Sequence, residues 1–264
     1  ASGLNFSVFY DIDLVSDNSS LSSLKNLDGS KHSVVLSDPL KNKGFDVAEN
    51  RRYFTGFPSS HGYLVVTKDE AVFFTDSRYI ESAQNNIKDF EVLQTDRSMP
   101  YNKLINNAIA DFGITTLGYE EPYLSVAELM GYEKNLNAKL VPFNEKIYAF
   151  RGVKEGWELE LMRKAQAITD KAFSEVVGRV KAGMTELELQ AELIYCLYKN
   201  GGQGLSFDPI VVSGPNTSLP HGVAGDRVIR EGDFVTLDFG ASYKGYCADM
   251  TRTVAVGYAT EEMQ

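Results

Sequence analysis

Histidine, cysteine and positive charge are in short supply in this sequence, and each shortage closes off a class of function. Among its 264 residues there are two cysteines, Cys196 and Cys247. They stand in contexts that read as a helix and a strand, with no CxxC spacing, so no disulfide framework is expected and a reducing, cytoplasmic setting fits best. The three histidines, His32, His61 and His221, form no HExxH pattern, which excludes a zincin-type site. Lysine and arginine number 26 against 36 acids, for a net charge of −10. Basic pairs such as Arg51-Arg52 are isolated, and a surface of that sign repels phosphate backbones, so no nucleic acid partner is expected. The apolar runs are far shorter than the ~20 residues that span a bilayer, so no membrane segment is expected either. The opening stretch ASGLNFSVFYDIDLVSDNSS carries acids where a signal peptide would be basic, and it lacks an initiating Met.

What is present is an ordinary globular composition, 43% hydrophobic and 23% charged, in a chain long enough for about two domains. Residues 1–33 are rich in Ser, Asn and Asp and read as a poorly specified lead-in. From there SVVLS (33–37), GYLVVT (62–67) and AVFFT (71–75) predict strands, the last two joined as a hairpin through Lys68-Asp69-Glu70. Helical patterns near 78–86, 100–111 and 125–136 alternate with strand-like EVLQ and TTLGYE, which predicts an α/β layer domain over 34–143. Residues 144–154 read as a linker. A long amphipathic helix then starts near Trp157, with Leu161, Met162, Ala165, Ile168, Ala172, Phe173, Val176, Val177 and Val180 on one stripe. Thr185 with Glu188 forms a capping box for a second helix that ends at Gly201-Gly202. The tail is strand-rich, and there is no internal repeat.

Within that tail, VTLDFGASYKGYCADMTRTVAVG sets Asp238 and Asp249 on either side of a turn. A turn centred between Tyr243 and Lys244 would place the two carboxylates directly opposite each other, roughly 4.5 to 5.5 Å apart at Cβ. Like charges so placed are destabilising, and a hard divalent cation bound by both would remove the conflict. The plainer alternative is a pair of solvated aspartates, or one that caps the turn, although aspartate is depleted in strands. The DFG triplet is shared with protein kinases, but the chain has neither an HRD loop nor a glycine-rich loop with its lysine. His221 lies in SGPNTSLPHG, just ahead of the aspartates. It reads either as a proton donor or substrate-orienting group or as an ordinary loop histidine.

Taken together, SFDPIVVSGPNTSLPHG, DRVIREGDFVTLDFGASYKGYCADMTRTVAVG and NRRYFTGFPSSHGYLVVTKDEAVFFTDSRY resemble the aminopeptidase P and Xaa-Pro dipeptidase (prolidase) branch of the pita-bread metallopeptidases. The likeness runs from about residue 33 onward, and His221, Asp238 and Asp249 keep the spacing of that family. The resemblance implies an α/β (α+β) protein with a creatinase-like N-terminal domain over 34–143 and the first half of a pita-bread catalytic domain over 155–264. It implies a metal-dependent hydrolase that cleaves the peptide bond before proline, acting on a proline-containing dipeptide or peptide, as a homodimer. Two divalent metal ions are implied, manganese first, with cobalt or zinc as alternatives. Asp238 would bind one metal, Asp249 would bridge both, and His221 would contact the substrate. Thr251, two positions from Asp249, could support a metal-bound carboxylate through its hydroxyl, or could simply be a β-former.

A complete site in that family takes a further histidine and two glutamates. No histidine follows His221, and after Asp249 the only acids are Glu261 and Glu262, in ATEEMQ, where Thr260 reads as a helix cap. The chain as given is therefore expected to be truncated in its catalytic domain and inactive alone, the competing explanations being a short protein that has lost catalysis and a site completed by another chain. A non-catalytic pita-bread module that binds peptides or proteins is the alternative from another class. A metal-free creatinase-like amidinohydrolase is a third, and the retained aspartates argue against both.

Overall fold

A computed structural model of the chain describes residues 33–36, 48–122, 124–261 and 263. The lead-in 1–33 lies, apart from Ser33, outside the described residues. The chain divides into two compact units, Ala1–Val153 and Lys154–Gln264.

The first unit is built on a mixed six-stranded sheet. Its strands are β1 (Ser33–Leu36), β2 (Tyr63–Val66), β3 (Ala71–Thr75), β4 (Glu91–Gln94), β5 (Thr116–Tyr119) and β6 (Lys139–Pro142), in the order β4-β3-β2-β1-β5-β6. β2 and β3 form the expected antiparallel hairpin, with Val66 opposite Ala71 and the Thr67 N–H donating to the Glu70 carbonyl at 2.7 Å. Helices α1 (Ala48–Thr55), α2 (Ile80–Asn86), α3 (Tyr101–Asp111), α4 (Val126–Asn135) and α5 (Asn144–Gly152) surround it. Because side chains alternate along a strand, the central pair feeds two cores. Leu64, Val66, Ala71 and Phe73 pack with Phe54, Ala83, Ile87 and Ile147, while Tyr63, Val65, Val72 and Phe74 pack with Leu104, Ile105, Ala108 and Ile109.

The segment 144–154, read from sequence as a linker, holds helix α5, and its Ile147 is fully buried in the first of those cores. Helix α1 and strand β6 were likewise not anticipated. Each is short, and β6 ends on a proline, so neither offers a long periodic signal.

The second unit opens with α6 (Gly156–Val176) and α7 (Glu186–Lys199). The Thr185–Glu188 capping box is formed as expected, with the Glu188 N–H donating to Thr185 Oγ1 at 3.2 Å and the Thr185 N–H donating to Glu188 Oε2 at 2.8 Å. α7 ends where Gly201 turns to φ 101°, a conformation that costs glycine little. Along α6 the buried stripe is Ala165, Thr169, Ala172 and Val176. Thr169 enters that stripe because its hydroxyl is used twice, donating to the Ala165 carbonyl and accepting from the Ala241 N–H, both at 3.0 Å. Val177 is 37% exposed, because the chain tightens there into a 3-10 turn, Val177–Arg179.

Two three-stranded sheets complete the unit. One has the order β11-β10-β7 and the other β12-β9-β8, with β7 at Gly204–Leu205, β8 at Ile210–Ser213, β9 at Phe234–Phe239, β10 at Ala241–Tyr243, β11 at Tyr246–Cys247 and β12 at Met250–Ala255. On β9 burial alternates strictly: Val235, Leu237 and Phe239 are fully buried, whereas Phe234, Thr236 and Asp238 are half-buried. The buried face packs with Val211, Met250 and residues of both helices. The opposite face is polar and open on its β12 side, where Thr236 and Asp238 pair with Thr253 and Thr251, while toward β8 it carries Ile210 and the buried Val212. Among the described residues no helix is long and apolar enough to cross a membrane.

Candidate metal centre

The residues singled out from sequence fall on and around that open face, but not in the expected register. β10 and β11 meet with Ser242 opposite Cys247 and Tyr243 opposite Tyr246, so the turn is Lys244-Gly245, one residue later than expected. Both residues have positive φ, 46° and 80°, as a tight two-residue hairpin turn requires. Glycine serves the second position, and that requirement overrides a turn centred on Tyr243-Lys244.

The correction carries into β9 and β12. Asp238 stands opposite Thr251, not Asp249. Thr251 Oγ1 donates to Asp238 Oδ1 at 2.8 Å, so the carboxylate meets a hydroxyl donor where a like charge was expected. The repulsion used to argue for a cation is therefore not built into the ladder. Asp249 lies two residues before Thr251, diagonal to Asp238 by register, a relationship that in regular sheet separates residues by about 7–8 Å. Both aspartates stay on the same side of the register, because the displacement is an even number of residues.

Gly240, between Asp238 and β10, explains the break between the two small sheets. A Cβ there would lie 1.7 Å from the Ala248 carbonyl oxygen and 2.9 Å from Ser206 Oγ. Only glycine lets the strand carrying Asp238 cross so close to the segment carrying Asp249.

His221 follows a 3-10 turn, Gly214–Ser218, in a tight turn closed by the Gly222 N–H on the Leu219 carbonyl at 3.0 Å. Its side chain is exposed. The adjacent Gly222 rests on β8, where a Cβ would lie 2.8 Å from Val212 Cγ1. Val212 pairs with Thr236, two residues along β9 from Asp238. The loop bearing His221 thus folds over the sheet face that carries Asp238 and Thr251.

Sequence reasoning missed what holds this loop. Glu186, fully buried at the start of α7, accepts from the Ser213 N–H at 2.7 Å, Ser213 Oγ at 2.8 Å, Asn216 Nδ2 at 3.1 Å and the Gly225 N–H at 3.1 Å. Arg227 then donates to Ser213 Oγ and pairs with both oxygens of Asp233, at 2.7 and 3.1 Å. That pairing holds the Asp233 carboxyl below its ordinary value and raises the Arg227 guanidinium. Within MTELEL, Glu186 gave no signal beyond its place beside the cap.

In chemistry Asp238 and Asp249 suit a hard divalent cation, being oxygen donors that are accessible and close in register. In number they fall short: among the described residues no group of three or more His, Cys, Asp or Glu side chains could hold a metal ion.

The mixed six-stranded sheet of the first unit and the helix-flanked small sheets of the second define an α/β protein of two units. Residues 28–153 match the Creatinase/Prolidase N-terminal domain and residues 160–264 match Metallopeptidase family M24. The chain belongs to metallopeptidase family M24, in the branch that carries a creatinase/prolidase N-terminal domain. It is 40% identical over 216 residues to the uncharacterized peptidase YqhT of Bacillus subtilis, covering 81% of this chain and 61% of that one. It is similar in structure to the Xaa-Pro dipeptidase from Bacillus anthracis, with a TM-score of 0.78 and 34% identity over 88% of this chain and 62% of that one. The X-Pro aminopeptidase from Thermotoga maritima gives a TM-score of 0.74 at 34% identity, over 82% of this chain and 60% of that one. The chain thus spans about three fifths of the length of these relatives.

Proposed function

We propose that this chain supplies the first part of a divalent-metal centre that hydrolyses the peptide bond preceding proline. The observation that supports the reading most directly is the open face of β9 and β12. A core strand presents Asp238 there with Thr251 donating to it, and Asp249 stands diagonal to it by register, next to the Gly240 crossing. Asp238 and Asp249 are the ligands in this reading, with manganese the metal best suited to carboxylate oxygens and cobalt or zinc the alternatives. When bound, two such ions supply Lewis acidity toward the scissile carbonyl and make water a better nucleophile at neutral pH.

The chain's own residues then have distinct tasks. Thr251 fixes the orientation of the Asp238 carboxylate, leaving the other oxygen lone pairs for a cation. His221, exposed on its loop, contacts the substrate and donates a proton or a hydrogen bond to the developing oxyanion. The proline-containing substrate is the one named for the Bacillus anthracis and Thermotoga maritima relatives.

The test compares the 264-residue chain with a polypeptide that carries this sequence and continues through the remaining length of its relatives. Titrated with manganese and assayed on Gly-Pro and Ala-Pro, the chain alone is expected to bind weakly and hydrolyse neither. The longer polypeptide is expected to bind tightly and hydrolyse both. Asp249→Ala in it should abolish turnover, and Thr251→Val should lower metal affinity about 10- to 100-fold. Turnover by the chain alone would overturn the proposed division of the site. Absence of metal binding in the longer polypeptide would sink the enzyme reading in favour of a peptide-binding module. That second reading draws support from the Thr251 hydrogen bond, which lets Asp238 sit in the strand without a cation.

A further inference from the structure

We infer that Glu186 is a positioning residue for His221, a single buried carboxylate that pins both stems of the histidine loop. Its four donors come from the end of β8 (Ser213 N–H and Oγ), from inside the loop (Asn216) and from its exit (Gly225). His221 lies between the inner and outer anchors. The main chain repeats the closure, with the Glu186 N–H donating to the Arg227 carbonyl at 3.1 Å and the Leu187 N–H to the Gly225 carbonyl at 3.2 Å.

A fully buried carboxylate is costly unless its oxygens are satisfied by donors, and here all four donors lie outside α7. Glu186 is not needed as a cap for that helix, since the Thr185 hydroxyl and Glu188 already fill that role. The helix N-terminus favours its negative charge, but its reach is toward β8 and the loop. Ser213 Oγ accepts from Arg227 while donating to Glu186, so the carboxylate joins a chain that runs through Arg227 to Asp233. Gly214 leaves room for that chain: at φ 50°, a Cβ there would lie 2.3 Å from Arg227 Nη2. Between these anchors Gly222 is pressed onto Val212, so His221 is held at the apex of an arch over the face bearing Asp238.

The catalytic weight of that arch rests on the proposed role of His221, whereas the anchoring does not. Hydrogen–deuterium exchange and histidine-ring NMR on the intact chain test the anchoring directly. In Glu186→Gln the amides of 214–226 should exchange roughly tenfold faster or more. The His221 ring resonance should move to its random-coil position, with the amides of β9 and the His61 ring unchanged. If Gln does not fold, Asn216→Ala removes one donor only, and several-fold faster exchange confined to the same loop is expected. Unchanged exchange in the loop, or an equal rise across β9, would overturn the inference. No readout here involves hydrolysis, so an inactive protein would count against the proposed function and leave the anchoring standing.

Discussion

The two sheets at the hearts of the two units use their faces differently. In the first unit β2 and β3 are buried on both sides, and every residue from Tyr63 to Val66 and from Ala71 to Thr75 is buried. In the second, β9 alternates buried and half-buried residues, spending Val235, Leu237 and Phe239 on the core and leaving Thr236 and Asp238 outside it. A strand consumed on both faces has no side chain left for chemistry. One with a single committed face can hold a carboxylate rigidly, because its neighbours on either side are locked in packing. Alanine substitutions should separate the two designs. Phe73→Ala, at a fully buried ring, should remove about 3–5 kcal/mol from the first unit. Thr236→Ala, which loses a hydroxyl contact to Thr253 at 3.0 Å, should cost the second no more than about 1 kcal/mol. Urea denaturation followed separately in each unit reads both, and comparable losses would erase the distinction.

The next test strikes the seam where the open sheet meets its neighbour. Gly240→Ala sets a methyl group where the Ala248 carbonyl lies 1.7 Å away, and backbone on both sides must move. Overpacking of this kind costs about 1–3 kcal/mol, occasionally more. The second unit should melt earlier, and manganese binding in the longer polypeptide should weaken, because Asp249 follows Ala248 directly. A variant with unchanged melting and metal affinity would show that the crossing does not set the spacing of the aspartates.

How legible each sheet was in the sequence follows from the same contrast. GYLVVT and AVFFT are β-branched and aromatic runs around a polar turn, and they fold as the hairpin that pattern predicts. TELEL opens α7 with the capping box expected of it. Residues 144–152 were not legible as helix, since of their described side chains only Ile147 and Phe150, with Phe143 ahead of them, pack in the core, and so short an apolar spacing fixes no period. The open face was legible in composition and not in register. Two aspartates among strand formers marked the site, but their pairing depended on which two residues could take positive φ, and Lys244-Gly245 decided it. Glu186 was invisible because a carboxylate in a first helical turn looks the same whether it faces water or, as here, four donors from another segment.

The smallest expected effect concerns the far end of the network that holds the histidine loop, and it carries its own pH signature. Asp233, whose side chain is 14% exposed, pairs with Arg227, 24% exposed, and also accepts from the Arg230 N–H at 2.8 Å. The Arg227 hydrogen bond is the leading cause of the lowered Asp233 carboxyl value. A carboxyl lowered by folding contributes stability above its unfolded value, here the ordinary 3.8, and loses it as pH falls through the folded value. Asp233→Asn keeps one oxygen acceptor and removes the charge, so the second unit should lose about 1.5 kcal/mol at pH 6 to 7. The gap between the two proteins should hold down to pH 5, narrow below 3.8 and close in stronger acid, where the wild-type carboxyl is itself protonated. Chemical denaturation across pH 2.5 to 7 measures it. A gap independent of pH would mean that Asp233 acts through shape alone, and that the Arg227 end of the network holds the loop without its charge.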